Sequence, residues 1–244
     1  MNRVEAMIEG GKRIGEIKSK ITSKILPGVT PLEIDAFVEK EIRSLGDTPS
    51  FQMVPGYKHA TCININSGIV HGIPSSQPFI SGDVVKVDMG LYHQGFHLDT
   101  SLTVEVPPIT TKVSKFIKAG QSALTAAINA AILGNTVYDI SLAMQSVVEA
   151  EGYSCIRDLT GHGVGKELHM EPFIPCYALR SSKKDKLYEN QTLAIEVMYA
   201  MGHFALVEAP DGWTLSTQDG SIAGMIEETV LVTSHNPMIL TQAQ

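Results

Sequence analysis

Val84-Val85-Lys86-Val87-Asp88-Met89-Gly90-Leu91, a polar turn through His93, Gln94 and Gly95, and then Phe96-His97-Leu98-Asp99-Thr100-Ser101-Leu102 form the stretch on which the fold turns. Two apolar runs separated by a short polar break with glycine have the pattern of a β-hairpin. A loop of two or four residues centred between His93 and Gln94 sets Asp88 directly opposite Asp99, whereas a three-residue loop shifts the register by one and removes that opposition. Opposed residues have Cβ atoms about 4.5–5.5 Å apart, and like charges there destabilise the pair. The alternative is that both aspartates are solvated on an exposed face. Against it, Val84 to Met89 is nearly continuous apolar, as in a strand buried on both faces, and a buried carboxylate needs a partner. Hard divalent cations meet that need, and a two-metal site requires further carboxylates and usually a histidine.

Further candidates lie downstream. Gly161-His162-Gly163-Val164-Gly165 brackets a histidine with glycines, a composition for tight backbone turns and close approach rather than for core packing. Leu193-Ala194-Ile195-Glu196-Val197-Met198 and Gly224-Met225-Ile226-Glu227-Glu228-Thr229-Val230-Leu231-Val232 each set a carboxylate inside an apolar strand, where an unpaired charge is costly. A salt bridge could satisfy either one, and in the second run one glutamate could point outward. Four strand carboxylates and a glycine-flanked histidine together form a more specific pattern.

Composition sets the bounds. The 244 residues are 43% apolar and 18% charged, an ordinary globular balance. No linker or charge block divides residues 1–244, which read as a single domain. The net charge of −7 lacks the basic surplus that nucleic acid selects for. No apolar run approaches a membrane span, and the first residues form a charged amphipathic segment without a signal core, so a cytoplasmic protein is expected. Cys62, Cys155 and Cys176 are odd in number and lack CxxC spacing, which suits reduced thiols.

Helical periodicity runs from the N-terminus to about Ile25 despite Gly10, Gly11 and Gly15. Thr30-Pro31-Leu32-Glu33 spells a capping box with proline at the first helical position, and Gly46 is the stop. Strands are expected at 61–65, 84–91 and 96–106, with an Ala-rich helix at about 113–133. Shifting by 106 positions aligns Thr30 with Thr136, Glu33 with Asp139, Ile34 with Ile140 and Gly46 with Gly152, an internal repeat that points to two pseudo-equivalent α/β halves. Strand-like pieces follow near Ile156, 173–177, 193–199 and 229–232.

In order and spacing these segments resemble the pita-bread metallopeptidases, and within them the type I methionine aminopeptidases, from about residue 3 to 241. The marks are His71-Gly72-Ile73-Pro74, Gly82-Asp83-Val84-Val85 leading to Asp88, Gly95 to Ser101, Gly161 to Gly165 followed by His169-Met170-Glu171-Pro172, Ile195-Glu196, Asp211-Gly212-Trp213-Thr214, and Asp219-Gly220-Ser221 before Glu227. The resemblance implies an α/β (α+β) fold of two pseudo-symmetric halves around a curved, largely antiparallel sheet with helices outside. It implies two divalent ions (cobalt, manganese, iron or zinc), with Asp99 and Glu227 bridging both, Asp88 on one, and His162 and Glu196 on the other. Glu196 is implied as proton carrier, with His71 and His169 holding the scissile amide. Phe51, Tyr57, Cys62, Leu168 and Trp213 are implied as an apolar pocket for an unbranched side chain, with Met198 close by. The implied reaction removes N-terminal methionine from peptides or nascent chains, carried out by a monomer without nucleic acid or membrane.

The chain departs from the family pattern at Val197, usually proline, Met170, usually acidic, Leu168, usually aromatic, and Glu228, commonly histidine. Ala223-Gly224-Met225 replaces a small-Ala-Gln stretch. No expected ligand is lost. Two other readings stay open. A proline-directed aminopeptidase or dipeptidase shares the five ligands and has an acidic residue after the last of them, as Glu228 is here, but has arginine where Met225 stands. A non-catalytic binding module would usually lack a ligand.

Overall fold

The computed structural model describes residues 2–243. Four helices, α1 (Arg3–Thr22), α2 (Pro31–Ser44), α3 (Thr111–Ala130) and α4 (Val137–Ala150), fall into two pairs. The capping box forms: the Thr30 amide donates to Glu33 at 2.7 Å, and the Glu33 amide to the Thr30 hydroxyl at 3.2 Å. Thr136 and Asp139 repeat it, with the Thr136 amide donating at 2.8 Å. Gly46 and Gly152 close the two helices with φ of 79° and 81°, the left-handed conformation of a C′ glycine. The repeat is therefore structural: α2 and α4 have 14 residues each and α1 and α3 have 20 each.

The strands in chain order are β1 (Thr48–Pro49), β2 (Thr61–Ile65), β3 (Gly68–Val70), β4 (Val84–His93), β5 (Phe96–Glu105), β6 (Ser154–Cys155), β7 (Thr160–Gly163), β8 (Met170–Pro175), β9 (Thr192–Ala200), β10 (Leu206–Glu208), β11 (Leu215–Thr217), β12 (Ala223–Leu231) and β13 (Met238–Ile239). The main sheet is antiparallel and runs β1-β4-β5-β12-β9-β7-β8, with β2 on β4, β6 on β9 and β13 on β12. β10, β11 and β3 form a small second sheet, which no hydrophobic period announces because its strands are three residues long. The first and third helices end a turn earlier than their periodicity suggests, although Ile25 is buried past the end of α1.

Apolar burial forms two main cores. One joins α1 and α2 to β2, β4 and β5 through residues such as Ile14, Val38, Ile63, Val87 and Leu98. The other joins α3 and α4 to β9 and β12 through Phe116, Met144, Ile195, Val197 and Val230. The glycines in α1 are contact points. A Cβ on Gly11 would lie 2.5 Å from the Leu240 carbonyl oxygen, and one on Gly15 would lie 2.7 Å from that of Thr241. The residues after β13 are thus seated against α1. Among the described residues no helix is long and apolar enough to cross a membrane.

The hairpin register differs from the expected one. The turn is Gln94-Gly95, with His93 paired to Phe96, Asp88 to Ser101 and Gly90 to Asp99. Both turn residues have positive φ, 49° and 92°, which a type I′ turn requires and which matches the twist of the flanking strands. Asp88 and Asp99 are therefore diagonal rather than opposed. The displacement is two residues, so both still face the same side of the sheet. The glycines around His162 also differ from expectation. They lie in or beside β7 without positive φ, and close approach explains two of them, since a Cβ on Gly161 would sit 2.5 Å from the Ala194 carbonyl oxygen and one on Gly163 2.4 Å from that of Glu171.

Candidate active site

Thr100 and Glu228 point toward α1, where both meet Lys18. By strand alternation Asp99 and Glu227 point to the other face, away from the helices. Asp88 on β4, Asp99 on β5, Glu227 on β12, Glu196 on β9 and His162 on β7 converge there, all buried. The directly opposed carboxylates of the sheet are Glu196 and Glu227. The pattern had suggested Asp88 and Asp99 instead, because nothing in the linear sequence shows that β9 and β12 pair residue for residue at this point.

The geometry fits cations. Asp88, Asp99 and Glu227 offer ligand atoms within 4.8 Å of one another, as do His162, Glu196 and Glu227. Glu227 belongs to both sets, and Asp99 joins His162 and His169 in a third. His162 Nε2 lies 3.4 Å from Glu196 Oε1 and 3.9 Å from Asp99 Oδ2. Its Nδ1 is 3.0 Å from the Gly163 carbonyl oxygen; a donor there leaves the Nε2 lone pair for the cluster. Asp88 Oδ1 and both carboxyl oxygens of Glu227 are buried with no hydrogen-bond partner, the state expected of atoms shaped for an ion.

Electrostatics agree. Burial pushes the Asp88 carboxyl up to about 7. It also raises Asp99, Glu196 and Glu227 well above the usual carboxylate range, with neighbouring carboxylates adding to the rise. Burial depresses His162 to about 4. A cluster of buried, mutually repelling carboxylates beside a neutral imidazole is a site that becomes favourable once cations neutralise it.

The cleft is a cavity of about 180 Å³ with a polar and an apolar end. At the polar end, His71 and His169 border the cluster, and the His169 ring packs edge-on to His162 at a centroid distance of 4.5 Å. His71 follows β3 with φ of 60°, a non-glycine residue in the left-handed region, held by a tight passage in which a Cβ on Gly72 would be 2.4 Å from the Ile63 carbonyl oxygen. Burial lowers both pKa values.

Phe51, Tyr57, Cys62 and Leu168 form a separate apolar cluster at the other end, with Trp213 and Val54 packed on it. Trp213 packs on Tyr57 with ring centroids 5.1 Å apart and planes tilted by 59°. Asp211 aims it by accepting the Trp213 and Thr214 amides, both at 2.8 Å. Met198 does not join this pocket. It faces the same side as Glu196 but lines a neighbouring recess with Leu159 and Phe173, while Met225, its cross-strand partner, lines the main cleft. Sequence reasoning had counted Met225 only as a departure. Its place two residues before Glu227, on the same strand face, was the available signal.

Residues 5–234 match the model of metallopeptidase family M24. The chain is 36% identical to a methionine aminopeptidase of Clostridium perfringens, covering 98% of this chain and 96% of that one. It is 34% identical to one from Aquifex aeolicus, with coverages of 98% and 96%. Among solved structures, methionine aminopeptidase from Thermotoga maritima superposes with a TM-score of 0.95 at 35% identity, over 98% of this chain and 96% of that one. Prolidase from Pyrococcus furiosus shares the fold, with a TM-score of 0.79 at 22% identity, over 99% of this chain but 64% of that one. With its length matched nearly end to end and a buried carboxylate–histidine cluster suited to divalent metal, this chain belongs to metallopeptidase family M24 and, within it, to the methionine aminopeptidases.

Proposed function

We propose that this chain, acting as a single-domain cytoplasmic monomer, removes the N-terminal methionine from peptides and nascent chains with two divalent cations held by Asp88, Asp99, His162, Glu196 and Glu227. The observation that carries the reading is the joining of an apolar pocket to the carboxylate cluster within one cleft. An unbranched side chain lodged between Tyr57, Leu168 and Trp213 leaves its own amide beside the cluster. Overlapping ligand sets that share Glu227 support two ions rather than one, and four carboxylates balance the charge of two dications.

When bound, divalent cations supply Lewis-acid polarisation of the scissile carbonyl and an acidified water. The residues do the rest. Glu196 takes a proton from the attacking water and delivers it to the leaving amine, a task for a carboxylate at hydrogen-bond reach. His71 and His169, kept neutral by their lowered pKa values, each donate one N–H, to hold the amide and then to stabilise the developing oxyanion. The apolar walls shed water from the bound side chain and fix its depth.

The proline-directed reading drew on Glu228. That side chain turns away from the cleft and meets Lys18 at 2.6 Å, so it has no part in substrate choice by contact. The test is a steady-state assay of protein loaded with manganese, cobalt, iron or zinc on Met-Ala and Xaa-Pro peptides. Methionine release with intact Xaa-Pro peptides is expected. Cleavage of the proline substrates alone would overturn the specificity, and inactivity on both with two metals bound would favour a binding module.

A further inference from the structure

The two central strands of the site, β5 and β12, share a single backbone register pair, Glu227 opposite Ser101. β12 and β9, by contrast, pair along the whole of β12. Threonine hydroxyls fill the gap. Thr229 accepts the Asp99 amide at 3.0 Å and donates to the Asp99 carbonyl at 2.7 Å. Thr103 does the same for Met225, accepting its amide at 3.1 Å and donating to its carbonyl at 2.5 Å. Each hydroxyl thus stands where a neighbouring strand would present both an N–H and a C=O. Thr100 closes the set by donating to the Glu227 carbonyl at 3.0 Å.

A partly buried charge pair backs this seam from the helix side. Lys18 of α1 donates to the Thr100 hydroxyl at 2.8 Å and to Glu228 at 2.6 Å. Thr241, in the segment seated on Gly11 and Gly15, accepts the Thr229 amide at 3.0 Å and donates to Glu228. In this assignment every hydroxyl in the network gives its one proton and receives one, so the arrangement has no slack. Glu228, which departs from the family pattern, has its partner in Lys18.

We infer that Thr100, Thr103 and Thr229 are positioning residues that set the spacing between the carboxylates of Asp99 and Glu227, with Thr100 held directly, and Thr229 through Thr241, by the Lys18–Glu228 pair behind them. The inference rests on the two-cation reading above. Asp99 and Glu227 sit on strands joined mainly by these side chains, so a lost hydroxyl frees the backbone that carries a ligand. Residues that orient metal ligands typically change affinity by about 10–100-fold when removed.

The test compares wild type, Thr229→Val, Thr229→Ser, Lys18→Met and Lys18→Arg, with Thr125→Val on the exposed face of α3 as control. Manganese affinity is read by competition with a chromogenic chelator, beside kcat and KM for a Met-Ala peptide. Thr229→Val and Lys18→Met should bind the weaker-held ion about tenfold or more less tightly and lose kcat with little change in KM, while Thr229→Ser, Lys18→Arg and the control stay near wild type. Lys18 lies at the edge of the network, so its variants remain informative if Thr229→Val fails to fold. Wild-type affinity and kcat in folded Lys18→Met, whatever its melting temperature, would overturn the inference. Failure of the wild-type chain to bind manganese would instead overturn the reading beneath it.

Discussion

Stripping the divalent ions should make the stability of this protein fall, relative to the ion-loaded protein, as pH rises through neutrality. In the cation-free cluster Asp88 is held at about 7 and Asp99, Glu196 and Glu227 well above their ordinary values, chiefly by burial. A carboxyl whose folded pKa is raised contributes stability fully below its unfolded pKa, near 4, and loses that contribution as pH climbs through the folded value. His97 and His162, both depressed to about 4, and His71 and His169, also lowered, act in the opposite sense, and their contribution is complete only about one pH unit above the unfolded value near 6.5. Lys86, fully buried and depressed well below its usual range, also opposes the carboxylates, with or without ions, so the cluster is read over roughly pH 6.5 to 8.5 as the difference between stripped and ion-loaded protein. Each proton kept by the folded state and absent from the unfolded one costs about 1.4 kcal/mol per pH unit. One such proton amounts to about 2.7 kcal/mol across the window, or about 5–10 °C in the melting midpoint of a chain this size. The assay is thermal unfolding at several pH values, with chelator or with manganese in excess. The gap between the manganese-loaded and stripped midpoints should widen as pH rises, because only the stripped cluster holds its protons, and Asp88→Asn should reduce that widening. A gap between loaded and stripped midpoints that stays constant or narrows between pH 6.5 and 8.5 would refute the argument.

Asp99→Ala should abolish turnover while the fold persists; retained Met-Ala cleavage would remove Asp99 from the site. Trp213→Ala should lower kcat/KM for methionine peptides about tenfold, mostly through KM, because it opens the apolar end without touching the cluster, and a loss confined to kcat would contradict that role. Gly11→Ala should lower the denaturation midpoint by an amount corresponding to about 1–3 kcal/mol, since the added Cβ has only the Leu240 backbone to push against. An unchanged chemical-denaturation curve would show that the terminal segment is not seated there.

Much of this was legible locally. The capping boxes at Thr30 and Thr136 formed because their signals act within four residues, and the repeat they shared pointed to the two α/β halves, each of which carries one such helix. Asp88, Asp99, His162, Glu196 and Glu227 each stood out because a polar group in an apolar or glycine-rich run needs a reason, and all five meet in one cluster. The hairpin was foreseen but not its register. Gln94 and Gly95 both adopt positive φ, and a preference weighed only as loop length missed that by one residue of turn position. Met198 was misplaced for a related reason: strand alternation gives a face, but it does not say which cavity on that face a side chain enters.

The amino-acid sequence by itself determined the four helices, the main strands and the five buried polar side chains that needed a partner, because capping, periodicity and the cost of burying charge are written residue by residue. Which carboxylates stand opposite each other, why α1 carries glycines, and how Lys18 reaches Glu228 were decided only by the folded chain. Those contacts join residues as far apart as Gly11 and Leu240, and their geometry follows from how distant segments meet rather than from any local preference.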